Sequence, residues 1–338
     1  MKKILLAATS SFAVLAIAHA AAAAGNESTV TQVGNNNSTG VIQSGDQNYV
    51  NLYQPGNNNQ FYVQQNGNNN FVGTDYFLPG DPRNNLGQRG TGAAGQFGNN
   101  NYASVTQQGD SNTVFMVPTV GAPGNSNSTQ QFRQYGSNNL EFAGILGNGN
   151  KQDFTQYGSG NQAFSVVSGT GDSITYVQSS PGNTPAGQGN LIGSVGGTKY
   201  SWDSNVAGNH DTVYVNQQGA NQVLYQVLGN NDQLAISQNN WQASGAGLYA
   251  TRNIADVNIQ GNSDVVSISQ TGGNNTFSLD IQGSSNVTGT VQNGASNTAS
   301  VMQTGTNNQA FTAQYGASNA SSIIQSGTGN IASVTQIH

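Results

Sequence analysis

The chain has no cysteine, so no disulfide can staple it. Charge is almost as scarce. Lys and Arg number 8, Asp and Glu 14 and His 3 in 338 residues, and charged residues make up 7% of the chain against the ~25% of an ordinary soluble domain. So few ionisable groups argue against a conventional enzyme of this length. A net charge of -6 argues against a nucleic-acid binder, which needs a basic surface. Hydrophobic residues, at 35%, also fall short of the usual ~45–50%. In their place stand 48 Asn, 35 Gln and 45 Gly, together 128 residues. Simple disorder is disfavoured by 13 Tyr, 12 Phe and regularly spaced Val and Ile. What remains is the Asn/Gln/Gly-rich class that is prone to cross-β association.

Residues 1–24 read as a secretory signal peptide. Lys2 and Lys3 precede an apolar stretch, Ile4 to Ala18, that is too short to span a membrane, and Ala18-His19-Ala20 offers a small-x-small cleavage site. No later segment is apolar enough to anchor the chain, so the expectation is an exported protein with no transmembrane segment after cleavage.

Beyond the leader, the pattern Gln-x-Gly-x-x-Asn occurs thirteen times, and neighbours are often eleven residues apart. The first run is Gln32-Gly34-Asn37, Gln43-Gly45-Asn48, Gln54-Gly56-Asn59 and Gln65-Gly67-Asn70. The last is Gln292-Gly294-Asn297, Gln303-Gly305-Asn308, Gln314-Gly316-Asn319 and Gln325-Gly327-Asn330, followed by Gln336. In the middle the spacing persists with Ile145, Val167, Val206, Val227, Ile259 or Ile281 in the Gln slot, and with Gln178, Gln217 and Gln238.

Between turns the character alternates with period two, as in Asn297-Ala299-Val301-Gln303 and Asn48-Val50-Leu52-Gln54. That is a strand with one face inward, closed by a turn whose glycine supplies φ > 0 or close backbone approach. One such strand cannot bury its face. Two make a strand-turn-strand rung of about 22 residues, and rungs stack in parallel at ~4.8 Å. Asn and Gln then lie over identical residues and form amide ladders. The expected fold is an all-β, amyloid-like β-solenoid of about 24 half-repeats, or ~12 rungs and roughly 55–60 Å of stack.

Regular repeats are expected over 25–72, 96–178 and 206–338, degenerate at first in the last block. Pro- or Gly-rich insertions at 73–95, 117–124 and 179–205, with a further break at Gln242 to Arg252, read as loops expelled from the stack, because Pro cannot donate to a ladder. In the weakest repeats Asp172, Asp211, Asp232 and Asp264 occupy the Asn slot, and Glu141 falls on the inward face. An inward carboxylate is costly unless paired or protonated, so these five are candidate gatekeepers that slow premature aggregation. For the four Asp, a solvated turn edge is an equal alternative. The most regular repeats lie at the two ends, so both faces of the stack are expected to be open templates for head-to-tail addition.

Repeats of the form Ser/Asn-x-Ala-x-Val-x-Gln-x-Gly-x-x-Asn behind a signal peptide resemble curlin, the subunit of the curli fibres of Gram-negative bacteria. Asn297 to Gln336 fits closely, Asn26 to Asn70 nearly as well, and about 160 to 260 loosely. The resemblance implies a secreted functional amyloid of the biofilm matrix at the cell surface, one that adheres to surfaces. It also implies partners: other copies of the chain, a nucleating minor curlin, and an outer-membrane secretion pore with accessory factors. The length, the number of repeats and the Pro-containing insertions depart from the commonest members and leave major and minor subunit roles open.

Other chemistry finds little support. His19, His210 and His338 are isolated, and Glu27 and Glu141 are the only Glu, so no catalytic, metal or cofactor site is expected. The alternative function is a secreted β-solenoid adhesin that stays monomeric.

Overall fold

In the computed structural model, residues 4–8, 16–20, 25–73, 94–95, 97–116, 126–181, 184, 188–193, 204–240 and 252–338 are described. All regular structure there is parallel strand, and no helix is long and apolar enough to cross a membrane among the described residues. The chain forms two compact units, Met1–Thr155 and Gln156–His338.

In the first unit, Glu27–Val33, Tyr49–Pro55, Phe71–Gly73, Thr113–Met116 and Leu140–Asn148 follow one another in one sheet. Ser38–Ser44, Gln60–Asn66, Tyr102–Gln108, Thr129–Tyr135 and Lys151–Tyr157 follow in the other. The backbones of Ile4–Ala8 and Ala16–Ala20 add one more strand to each, on Glu27–Val33 and Ser38–Ser44. In the second unit one sheet runs through Gln162–Thr170, Asn221–Asn230, Asn253–Asn262, Thr276–Ser284, Thr298–Thr306 and Ala320–Thr328. Its partner runs through Ser173–Ser179, Thr212–Gly219, Gln233–Asn240, Val265–Gly273, Val287–Ala295, Gln309–Ala317 and Ile331–Ile337. Chain order alternates between the sheets, as a solenoid of strand-turn-strand rungs requires.

Register is that of the repeat. Val301 lies on Ile323, Gln303 on Gln325 and Gly305 on Gly327. The aliphatic occupants of the Gln slot keep the same register, Val167 on Val206, Val206 on Val227, Val227 on Ile259 and Ile259 on Ile281, absorbing the ten-residue step. Alternate residues are buried, as in Gln60–Asn66, where Phe61, Val63 and Gln65 face in. The inward faces of the two sheets touch: the Thr288 hydroxyl donates to Gln303 Oε1 at 2.7 Å, and the hydroxyls of Tyr176 and Tyr225 bond across the core.

The insertions are only partly loops. Of 73–95, Gly73 ends a strand, and Ala94–Gly95 pairs with Leu52–Tyr53. Within 179–205, Ser179 ends a strand, Leu191–Ile192 re-enters the sheet between Gln162–Ala163 and Gln222–Val223, and Ser204–Asn209 begins the next strand. The physical reason is that the ends of the neighbouring strands need backbone partners, and a two-residue strand suffices to supply them. Residues 74–93, 182, 183, 185–187 and 194–203 of these segments, residue 96, all of 117–124, and Gln242 to Arg252 except Arg252, lie outside the described residues.

The turn explains the glycine. Gly305 has φ +111°, and a Cβ there would overlap the carbonyl oxygen of Gly327 on the next rung. The other predicted turn glycines, Gly34, Gly45, Gly56, Gly67, Gly294, Gly316 and Gly327, share the positive φ. Two residues on, a second left-handed residue closes the turn, such as Asn36, Asn307 or Ser318. Gly329 has φ +73° with open space around it. Gly329→Ala therefore costs about 1 kcal/mol for the left-handed backbone alone, whereas Gly305→Ala costs at least about 3 kcal/mol because two backbones must also part. Urea unfolding of the freshly diluted full chain checks the difference.

Candidate functional site

The interior carries the polar groups that stand out chemically. At the strand end, Gln residues of the motif turn inward and donate Nε2 to Oε1 of the Gln one rung on. In the first unit one column runs Gln43 to Gln65 at 2.9 Å, Gln65 to Gln107 at 2.8 Å and Gln107 to Gln134 at 2.8 Å. In the second unit it runs Gln156, Gln178, Gln217, Gln238, Gln270, Gln292, Gln314 and Gln336, with every step between 2.6 and 3.0 Å. The second Nε2 hydrogen goes to a backbone carbonyl across the turn, as from Gln292 to Thr276 at 3.0 Å and from Gln314 to Thr298 at 2.9 Å. Both amide hydrogens are therefore used, although the side chain is buried.

The other sheet of each unit is built differently. Gln32 donates to Gln54 at 2.8 Å, and Gln303 to Gln325 at 2.9 Å. In the second unit, the same slot before Gln303 is filled by the buried Val167, Val206, Val227, Ile259 and Ile281.

Asn closes the turn. Its Oδ1 accepts the backbone N–H of the Asn one rung on, as from Asn59 to Asn37, Asn70 to Asn48, Asn319 to Asn297 and Asn330 to Asn308, at 3.0–3.1 Å. Its Nδ2 donates to the carbonyl of the next rung's turn glycine, as from Asn297 to Gly316 and Asn308 to Gly327, both at 3.0 Å. Gln32, Asn37, Gln43, Asn48, Gln54, Asn59, Gln65 and Asn70 thus join their 22-residue partners, as do Gln292, Asn297, Gln303, Asn308, Gln314, Asn319, Gln325, Asn330 and Gln336. The middle members Gln107, Gln134, Gln156 and Gln270 belong to the same columns. Each carries the full motif, which is the signal that finds them. Asn190, from the 179–205 insertion, sits between Asn161 and Asn221 with amide contacts of 3.0 and 3.1 Å, and no motif flags it.

The acidic residues are not at a solvated edge. Asp172, Asp211, Asp232 and Asp264 are fully buried and form one column in the second unit. Asp211 N–H donates to Asp172 Oδ1, Asp232 to Asp211, Asp264 to Asp232 and Asn286 to Asp264, at 2.7–2.9 Å. Burial pushes the Asp211 carboxyl up to about 6, with the Asp172 charge adding, and Asp232 up to about 7, with Asp211 and Asp264 adding. Burial also raises Asp172 and Asp264. Two ionised carboxylates one rung apart repel by about 3 kcal/mol at an effective dielectric near 20. Glu141, in the first unit, lies in register with Val114, fully buried, and neither carboxyl oxygen has a hydrogen-bond partner. Burial lifts it well above the ordinary carboxylate range and Asp153 adds to this, while Arg133, itself paired to Asp153 at 2.6 Å, offsets part of it.

Parallel rungs locked by inward amide columns define a cross-β solenoid of the structural-repeat class. Residues 305–337 match the family model of the Curlin associated repeat, so this C-terminal stretch carries a curlin-type repeat. The matched stretch holds Gly305, Gln314, Asn319, Gln325, Asn330 and Gln336. No curated protein matches the chain significantly.

Gln303→Ala combined with Asn308→Ala orphans buried ladder partners and costs about 1–3 kcal/mol for each group left unpaired. Gln226→Ala with Gln233→Ala, both exposed, stays within about 0.5 kcal/mol. Urea midpoints of the full chain separate the two. For Glu141, the folded carboxyl titrates above its unfolded value. Its contribution to stability is therefore complete below the ordinary carboxylate range and is lost as pH rises through the raised value. Glu141→Leu accordingly stabilises the chain by about 1–3 kcal/mol at pH 8 and changes little at pH 4. Hydrogen exchange over residues 140–145 at the two pH values reads this out.

Proposed function

We propose that the chain is a secreted structural subunit whose copies stack rung on rung into a curli-type amyloid fibre at the cell surface of a Gram-negative bacterium. In this reading the fibre contributes to biofilm matrix and surface adhesion. Residues 1–24 act as the export signal, and the curlin resemblance supplies the further partners: a nucleating minor subunit and an outer-membrane secretion pore. Removal of the leader would uncover Glu27–Val33 and Ser38–Ser44.

The observation that carries this reading is the repetition of one bonding pattern at each step. A rung offers the next one backbone groups, a Gln Nε2 and an Asn Oδ1, all in 22-residue register. The rung Ala320–Thr328 with Ile331–Ile337 has such a neighbour on one side. Its outward-facing Ile324 and Ile337 are exposed at 73 and 79%, against 44 and 41% for Met302 and Tyr315 at the same positions one rung back. A rung of a second copy answers both the apolar surface and the open polar groups.

Gly327 gives a specific test. It has φ +114°, like the covered Gly305, but no backbone over it. Gly327→Ala should therefore disturb the isolated chain much less than Gly305→Ala, yet slow elongation at least tenfold, because its Cβ meets the carbonyl of the incoming copy. The measurements are thioflavin kinetics with seeds, and a ~4.7 Å meridional reflection in fibre diffraction. A folded wild-type chain that stays monomeric for days at high concentration rejects the fibre and leaves the monomeric adhesin.

A further inference from the structure

The aspartate column has a chemistry that the amide columns do not. In the same column one rung further on, Asn286 and Asn308 each donate Nδ2 to the carbonyl of a turn glycine, Gly305 at 3.1 Å and Gly327 at 3.0 Å. In the aspartate rungs an oxygen, Oδ2, occupies the place of that nitrogen. A Cβ added at Gly208 would overlap both Asp211 Oδ2 and the Gly229 carbonyl oxygen. One at Gly229 would overlap Asp232 Oδ2 and Gly261 O, and one at Gly261 would overlap Asp264 Oδ2 and Gly283 O. The two oxygens therefore converge over the same glycine. Unlike Gly305, these three glycines have no left-handed φ, so the close approach alone requires them. The Oδ2 atoms of Asp211, Asp232 and Asp264 are buried and receive no hydrogen bond. An ionised carboxylate oxygen against a carbonyl oxygen is repulsive on both sides, whereas a carboxylic acid O–H donates where the amide N–H does.

We propose that Asp211, Asp232 and Asp264 fold as neutral carboxylic acids that substitute for Asn, each giving its Oδ2–H to the turn carbonyl of the next rung, so that the middle rungs of the second unit close by taking up protons. The step moves only protons: each carboxylate gains one from solvent as its rung closes and returns it on opening.

The groups that face the column fit this. Asp211 meets Asp172 below and Asp232 above, Asp232 meets Asp211 and Asp264, and Asp264 meets the neutral Asn286. Burial raises Asp172, and His210 beside it offsets part of that rise. The upward shifts of Asp211 and Asp232 agree in direction with the geometry. Among the described residues no group of three or more His, Asp or Glu is arranged to hold a metal ion. The inference concerns folding of one chain and stands whether or not copies stack.

The test compares the full-length wild type with Asp211→Asn/Asp232→Asn/Asp264→Asn and with the single Asp232→Asn. Refolding from denaturant is followed by calorimetry in two buffers of different ionisation enthalpy, which counts protons bound. Hydrogen exchange over residues 211–240 and 262–290 gives local stability at pH 4, 6 and 8. The expected results are net proton uptake by the wild type at pH 6 that falls by more than one proton in the triple variant, and protection that drops at least tenfold from pH 4 to 8 in the wild type but less than threefold in the triple variant. The loss runs upward through the raised carboxyl values, because protonation is what the folded state favours. Equal proton uptake and equal pH profiles in the two chains overturn the proposal. So does restoration of wild-type protection at pH 8 by millimolar calcium, which would assign the column to a cation. If the triple variant does not refold, the single variant decides by the same measurements: an unchanged pH profile over 211–240 overturns the proposal, and a flattened one supports it.

Discussion

Stacking places each inward side chain directly over its counterpart at ~4.8 Å, and this constraint governs the rest of the structure. A side chain survives there only if it tolerates itself as a neighbour. Aliphatic groups do, through close packing. The carboxamide does, because it donates on one side and accepts on the other, so a column of Gln satisfies itself without water. A charged group does not. The composition follows: few ionisable residues, many amides, and a glycine wherever one rung's turn carbonyl lies too close to the next rung for a Cβ.

The two sheets resolve the constraint in different ways. In the second unit, one strand end carries an unbroken Gln column from Gln156 to Gln336, while the same slot in the opposing sheet is aliphatic from Val167 to Ile281 before Gln303 restores the amide. Amides lock register, because a slip breaks every bond in the column at once. Aliphatic columns add burial without such selectivity. Where Gln stands in the otherwise aliphatic sheet, a threonine hydroxyl from the facing sheet completes its bonding, as Thr39 does for Gln54 and Thr288 for Gln303. The chain thus combines one column that specifies register with another that mainly contributes dry core.

Much of this is legible in the residues. The eleven-residue phase, the inward set of each strand and the turn glycine are local properties, set by side-chain alternation and backbone sterics within a dozen residues. The Gln and Asn pairs 22 residues apart follow by simple counting. The aspartate column does not. Asp172 reaches Asp211 across 39 positions, Asp211 reaches Asp232 across 21, and Asp232 reaches Asp264 across 32, because insertions intervene in the first and last steps and a ten-residue step in the middle one. Nor do Asn190 and the short strand Leu191–Ile192 carry any motif. Their place is dictated by vacant bonding positions on Gln162–Ala163 and Gln222–Val223.

The amino-acid sequence by itself therefore determines the unit of construction: one strand, one glycine turn, and an inward row of Asn, small or β-branched residues and Gln. Tertiary structure decides which rows meet. Only stacking brings residues from unequal loop lengths into one column, buries them, and turns a scattered handful of acids into neighbours whose charges cannot coexist. Side-chain alternation acts over neighbours in the chain, whereas burial and electrostatic coupling act over neighbours in space, and in a solenoid with insertions the two sets coincide only where the repeat is unbroken.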